Sequence, residues 1–216
     1  MLQLLTYLID IASGILAVLP FLILLEIMAY RLIPSLPLQH LLGDGLLCLI
    51  LAALLSLTGV PGFLEWKIDF KINLIPFSDI SAAPMQYFFC FLLFLLPGFI
   101  LALLYPVLRS RRRCILYGFL LSFTIELLRI FSVHSSSVDH LIVNTAGIFA
   151  GYALYMLICR FFPNFGTSCQ LPQECLSKYP SLKWEHMALT ASALAGALIL
   201  SPVMKGMCWH MFSQLG

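Results

Sequence analysis

The sequence predicts an all-α polytopic membrane protein, a bundle of about six transmembrane helices in one domain over residues 1–216. Three observations carry this. Hydrophobic residues make up 61% of the chain and charged residues only 10%, against about 45–50% and 25% in soluble domains. Six runs reach or approach the roughly 20 apolar residues that a spanning helix needs. The runs are rich in Leu, Ile, Phe and Ala, with none of the ten-residue apolar–polar alternation of a membrane barrel. This composition excludes disorder and argues against an ordinary soluble enzyme. The net charge of +2, with no long basic stripe, argues against nucleic acid as a partner.

The expected spans are Ile11–Tyr30, Leu41–Val60, Gln86–Leu108, Cys114–Val133, Val138–Phe161 and His186–Lys205. Residues 1–10 carry no Lys or Arg, so the first run is read as a retained helix and not as a cleaved leader. Between the third and fourth spans stand Arg109, Arg111, Arg112 and Arg113, and that side also holds Arg31, Arg160, Lys178 and Lys183. The other side holds Lys67, Lys71 and Lys205. Eight against three places the arginine side in the cytoplasm and both termini outside. Loop two, Pro61–Met85, is then external, with Trp66 as an interfacial anchor. Loop five, Pro163–Glu185, is polar and broken by Pro172 and Pro180. Loop four is only His134–Ser137, so spans four and five form an antiparallel helical hairpin. No internal or inverted repeat is visible.

Ionisable groups inside a span cost about 2.5–3.5 kcal/mol each on insertion scales. Glu126 and Arg129 lie three apart on one face of the fourth span, and Ser122 joins that face. A structural ion pair and a site for a headgroup both fit. The neighbours favour a site: His134, Ser135, Ser136, Ser137, Asp139 and His140 form the turn, and Asn144 and Thr145 follow on span five. Glu26 and Asp44, near the cytoplasmic ends of the first two spans, read as structural. Gly147 and Gly151 form a GxxxG whose expected use is close packing against span three or four, ahead of dimerisation. Pro97-Gly98 predicts a kink in span three.

Motifs of familiar enzymes are missing. There is no HExxH or GxSxG. Ser135–Ser137 beside Asp139 and His140 does not make a triad, because triads converge from separated elements. Cys169 and Cys175 do not have zinc-knuckle spacing, and the seven cysteines read as free thiols. No metal set and no cofactor motif follows from spacing.

Three blocks resemble the VanZ-like family of bacterial membrane proteins over about residues 71–159. They are KINLIPF at Lys71–Phe77, GFLLSFTIELLRIF at Gly118–Phe131 and VDHLIVNTAGIFAGY at Val138–Tyr152. Glu126, Asp139, Asn144, Gly147 and Gly151 match the family pattern. Arg129 stands where the family usually has Gln, His140 where it has a second Asp, Ser137 where it has an acidic residue, and Cys90 where it has Asn. The Arg usual before the acidic run is also absent. These departures change the charge of the family's polar site. The resemblance implies a bacterial cell-membrane protein of a family whose founding member is associated with low-level teicoplanin resistance.

The resulting expectation is a binding or accessory protein. Its outward cavity has Glu126 and Arg129 as floor, and Asp139, His140, Asn144 and Asn73 as walls. The expected partners are membrane lipids and an amphiphile, either a lipid-linked cell-wall precursor or a lipoglycopeptide. Two alternatives stay open. One is a membrane-embedded enzyme using His134 or His140 with Asp139 and a further carboxylate, Asp69 or Asp79. The other is a small transporter subunit. The sequence does not set the oligomeric state.

Overall fold

The computed structural model describes residues 2–32, 37–60, 72–131, 136–171 and 173–215. The expected positions of Trp66, Lys67, Asp69, Lys71, His134, Ser135 and Pro172 fall outside the described residues. In chain order the helices are α1 (Leu2–Leu32), α2 (Leu38–Leu57), α3 (Ser78–Ala82), α4 (Pro84–Leu104), α5 (Arg111–Arg129), α6 (Val138–Phe161), α7 (Gln173–Lys178), α8 (Glu185–Ile199) and α9 (Ser201–Leu215). Two residue pairs form a short parallel bridge, with β1 (Ile72–Asn73) beside β2 (Ser136–Ser137). This is an all-α bundle with one small backbone bridge at its edge.

Four helices, α1, α2, α4 and α6, are long and apolar enough to cross a membrane. The α8–α9 pair makes a fifth if it is counted as one broken span. The chain is therefore a multi-pass membrane protein. The last expected span, His186–Lys205, is not one straight helix: α8 and α9 meet at 54°. Pro202 explains the break, since it lacks an N–H and its ring opposes the carbonyl four residues back. The fourth expected span corresponds to α5, whose charges keep it outside the apolar limit. Its apolar side chains nevertheless face outward. Leu116, Phe119, Leu120, Phe123 and Leu127 are exposed, while Glu126 and Arg129 are buried. That inversion of the soluble pattern suits a lipid surround.

The core runs through Leu47, Leu51, Leu54, Phe94, Leu101, Ile125, Ile148 and Leu189. Its tightest seam joins α4 to α6. A Cβ on Gly98 would lie 2.2 Å from the Ile148 carbonyl oxygen, and one on Gly151 would lie 2.1 Å from that of Leu95. One on Gly147 would meet the Phe91 carbonyl oxygen at 2.6 Å. The GxxxG is thus an intrachain seam against the third span. Gly98 serves the same approach, and α4 continues through Pro97 to Leu104.

α4 stops where Tyr105 precedes Pro106. A residue before proline is driven out of the helical region, and Tyr105 is extended, with φ −111° and ψ 102°. A short 3-10 turn, Pro106–Arg109, leads into α5. Arg109 Nη2 donates to the Tyr155 hydroxyl at 2.6 Å, and the Tyr152 hydroxyl donates to the Arg109 carbonyl at 2.9 Å. These bonds pin this arginine end of the bundle to α6. The bridge, α3 and the start of α6 lie at the opposite, serine end.

Adding a methyl group on the α4–α6 seam sets Cβ against backbone that cannot give way. Gly98→Ala and Gly151→Ala are expected to lose about 1–3 kcal/mol, read as a lower Tm in detergent. Gly45→Ala and Gly206→Ala have open space around the new Cβ. They are expected to be neutral or to gain up to about 1 kcal/mol from helix propensity.

Candidate functional site

Glu126 and Arg129 occupy the last turn and a half of α5, three residues apart and therefore on one face. Arg129 Nη1 donates to Glu126 Oε1 at 3.0 Å, with only 6% of Glu126 and 7% of Arg129 exposed. The other carboxylate oxygen, Oε2, accepts from Ser136 Oγ at 2.8 Å and from the Ser137 amide at 3.2 Å. Glu126 thus fastens the end of α5 to the strand that opens α6. Ser137 caps α6 by accepting from the Asp139 amide at 3.2 Å, the usual service of a serine at a helix start. Three buried polar atoms on these two helices have no hydrogen-bond partner among the described residues: Arg129 Nε, Ser122 Oγ and Asn144 Oδ1.

Asp139 takes a different part. Its Oδ1 accepts from the Phe77 amide at 2.6 Å, and its Oδ2 accepts from the Asp79 and Ile80 amides at 3.0 and 3.2 Å. The carboxylate sits on the first turn of α3 and holds down the Asn73–Phe77 stretch. Asn73 braces the same loop. Its Oδ1 accepts from the Ile75 amide at 3.0 Å, while its Nδ2 donates to Ser78 Oγ at 2.8 Å and Asp79 Oδ1 at 2.6 Å. Phe77 has φ 66°, a left-handed backbone rare for a bulky residue, and Asp139 grips its N–H. The loop turns Leu74, Ile75 and Phe77 outward.

His140 lies under the Tyr87 ring, with centroids 4.5 Å apart, and within electrostatic reach of Arg129 and Glu126. Cys90 on α4 is also within reach of that pair. All six residues expected from sequence therefore stand at the serine end. Glu126 and Arg129 form a bonded pair. Asp139 and Asn73 are engaged in holding the loop, and Asn144 leaves a buried acceptor open. A cavity of about 150 Å³ touches Glu126, Ser136 and Ser137, with Leu74, Phe123, Leu127, Ile130, Val138 and Leu141 as apolar walls. A groove of about 770 Å³ runs between α2 and α4, past Leu57, Phe89, Cys90, Leu93 and Leu96.

A profile of the VanZ/LLP1 family matches residues 45–160, more than half of the chain. The chain belongs to the VanZ/LLP1 family. No curated protein and no solved structure matches it.

The VanZ/LLP1 stretch contains the whole serine-end cluster. A second buried cluster, at the arginine end, draws on residues outside that stretch and escapes a reading by spacing. His40 Nε2 lies 3.3 Å from Asp44 Oδ2 and 3.2 Å from Glu185 Oε2. His40 Nδ1 donates to the Cys169 carbonyl at 2.8 Å, and the Tyr105 hydroxyl donates to Asp44 Oδ1 at 2.5 Å. Asp44 is thus part of a multi-helix cluster. The i,i+4 spacing of His40 and Asp44 was a legible signal, but Glu185 stands 145 positions from His40.

Asp139 carries the loop of the serine end. Asp139→Ala is expected to release three backbone amides, at about 1–3 kcal/mol. Hydrogen exchange should quicken across residues 73–82, while residues 94–104 of α4 stay protected. Unchanged exchange at 73–82 would refute this role.

Proposed function

We propose that the serine end of this VanZ/LLP1 protein faces outward and takes the headgroup of an envelope amphiphile, a lipid-linked wall precursor or a lipoglycopeptide, giving tolerance to teicoplanin. The observation that carries the reading is the set of buried atoms on α5 and α6 that have no hydrogen-bond partner among the described residues. An unsatisfied buried donor or acceptor costs about 1–3 kcal/mol, so a headgroup that supplies partners to Arg129 Nε, Asn144 Oδ1 and Ser122 Oγ recovers that cost. Arg129 contacts anionic oxygens of the ligand, and Glu126 holds the guanidinium in place. Asp139 and Asn73 build the wall by fixing the loop. The α2–α4 groove, lined by Phe89, Cys90, Leu93 and Leu96, accepts the tails. The positive-inside rule supports the outward orientation, since the arginines gather at the other end. The layer between the two ends is Leu51, Leu54, Phe94, Leu101, Ile125 and Ile148, which favours a one-sided site over a through-path.

The test separates ligand contact from folding. Glu126→Ala or Arg129→Ala leaves a buried charge alone, at about 3–5 kcal/mol, and is expected to lower the membrane level of the protein. The double variant Glu126→Gln with Arg129→Gln removes both charges together and keeps a polar amide at each position. It should keep the wild-type membrane level while losing the teicoplanin tolerance that the wild-type chain confers on a sensitive host. Full tolerance in the double variant would overturn the proposal.

A further inference from the structure

We propose that His40, Asp44 and Glu185 form a divalent-metal site at the arginine end, independent of the serine-end site. The three side chains come from the start of α2 and the start of α8, and one ligand atom from each lies within 4.8 Å of the others. Ligand atoms at about 2.0–2.2 Å around a tetrahedral ion stand roughly 3.3–3.6 Å apart. The two separations measured from His40 Nε2 are 3.2 and 3.3 Å, close to that spacing.

The surroundings prepare the set for a cation. A carbonyl can only accept, so the bond to Cys169 puts the proton of a neutral imidazole on Nδ1. Without an ion, Nε2–H is the donor to Glu185 Oε2; a bound cation would take the place of that proton, while the Nδ1–H bond to Cys169 holds the ring as the outer hydrogen bonds of metal-binding histidines do. Tyr105 orients Asp44 from its far side in the same manner. Electrostatics point the same way. His40, Asp44 and Glu185 are all buried, and neither carboxylate has a Lys or Arg ion pair among the described residues. One imidazolium could offset only one of the two charges, whereas a divalent ion offsets both. Close by, Glu26 Oε1 is a buried carboxylate oxygen without a hydrogen-bond partner among the described residues, within electrostatic reach of both His40 and Glu185. His186 Nδ1, on the residue next to Glu185, also has no hydrogen-bond partner among the described residues, and only 4% of that residue is exposed. One imidazole and two carboxylates suit Zn²⁺ or Mn²⁺. Three protein ligands leave a fourth position open to water or to an oxygen ligand. Bound metal would clamp α8, from outside the family-matched stretch, onto α2.

The experiment uses the purified full chain in detergent, stripped with chelator and dialysed against Mn²⁺, a probe for which the seven thiols compete poorly. Bound Mn²⁺ is counted by elemental analysis and by electron paramagnetic resonance, and Tm is recorded with and without the ion. The wild-type chain is expected to hold about one equivalent and to melt higher with Mn²⁺. Asp44→Asn and Glu185→Gln should each lose that equivalent and its Tm gain. Tyr105→Phe should weaken binding about 10–100-fold, and Gly206→Ala, with open space around its new Cβ, should bind like the wild type. The wild-type measurement stands even if a ligand variant fails to fold. Absence of stoichiometric Mn²⁺ from the wild-type chain would overturn the site, as would undiminished binding in folded Asp44→Asn and Glu185→Gln variants.

Discussion

The close approach of α4 to α6 is the constraint on which both ends of the molecule depend. Between helices in lipid, apolar surface supplies no net drive, so association rests on van der Waals contact and on small residues that let backbones meet. Gly98, Gly147 and Gly151 supply that contact, each leaving room for a facing backbone carbonyl. With the seam closed, the segment before α4 is delivered to Asp139 at the head of α6. At the other end, Tyr105 is delivered to Asp44, and Arg109 to Tyr155 and Tyr152. The seam sets the spacing of the two ends along α4 and α6, while His40 reaches Glu185 through the packing of α2 on α8.

The clusters meet the cost of buried charge in different ways. At the serine end an arginine and a glutamate share one helix face, and the second glutamate oxygen is satisfied by Ser136 and the Ser137 amide. The pair is neutral as a unit, and α5 can turn its leucines and phenylalanines to lipid. At the arginine end the ion pairs run through a single histidine placed between two carboxylates. That imbalance is the ground for the metal proposed at this end.

Much of this was legible in the sequence, for identifiable reasons. Composition and run length announce the membrane bundle. The i,i+3 spacing of Glu126 and Arg129 foretells their bond, because helical geometry alone brings them together. The GxxxG points to a close seam. The three ordered blocks point to the VanZ/LLP1 family, whose profile extends further toward the N-terminus, to residue 45. The break between α8 and α9 has its cause in Pro202, which hydropathy averages over. Contacts across long separations stayed hidden. Asp139 reads as a wall residue, yet its partners are amides about 60 positions earlier, and backbone amides leave no mark in residue type. The joining of His40 to Glu185 likewise follows from α2 packing on α8, which no local pattern encodes.

Everything proposed for the serine end requires that it meet the outer leaflet. Single cysteines at Ser81, exposed beside the loop held by Asp139, and at Lys178, exposed on α7, would report this in a chain lacking the native thiols. The measurement is labelling of intact cells with a membrane-impermeant maleimide, before and after permeabilisation. Labelling of position 81 in intact cells, with position 178 reached only after permeabilisation, is the predicted result. Labelling of position 178 alone in intact cells would put the Glu126–Arg129 cluster in the cytoplasm and contradict an external ligand.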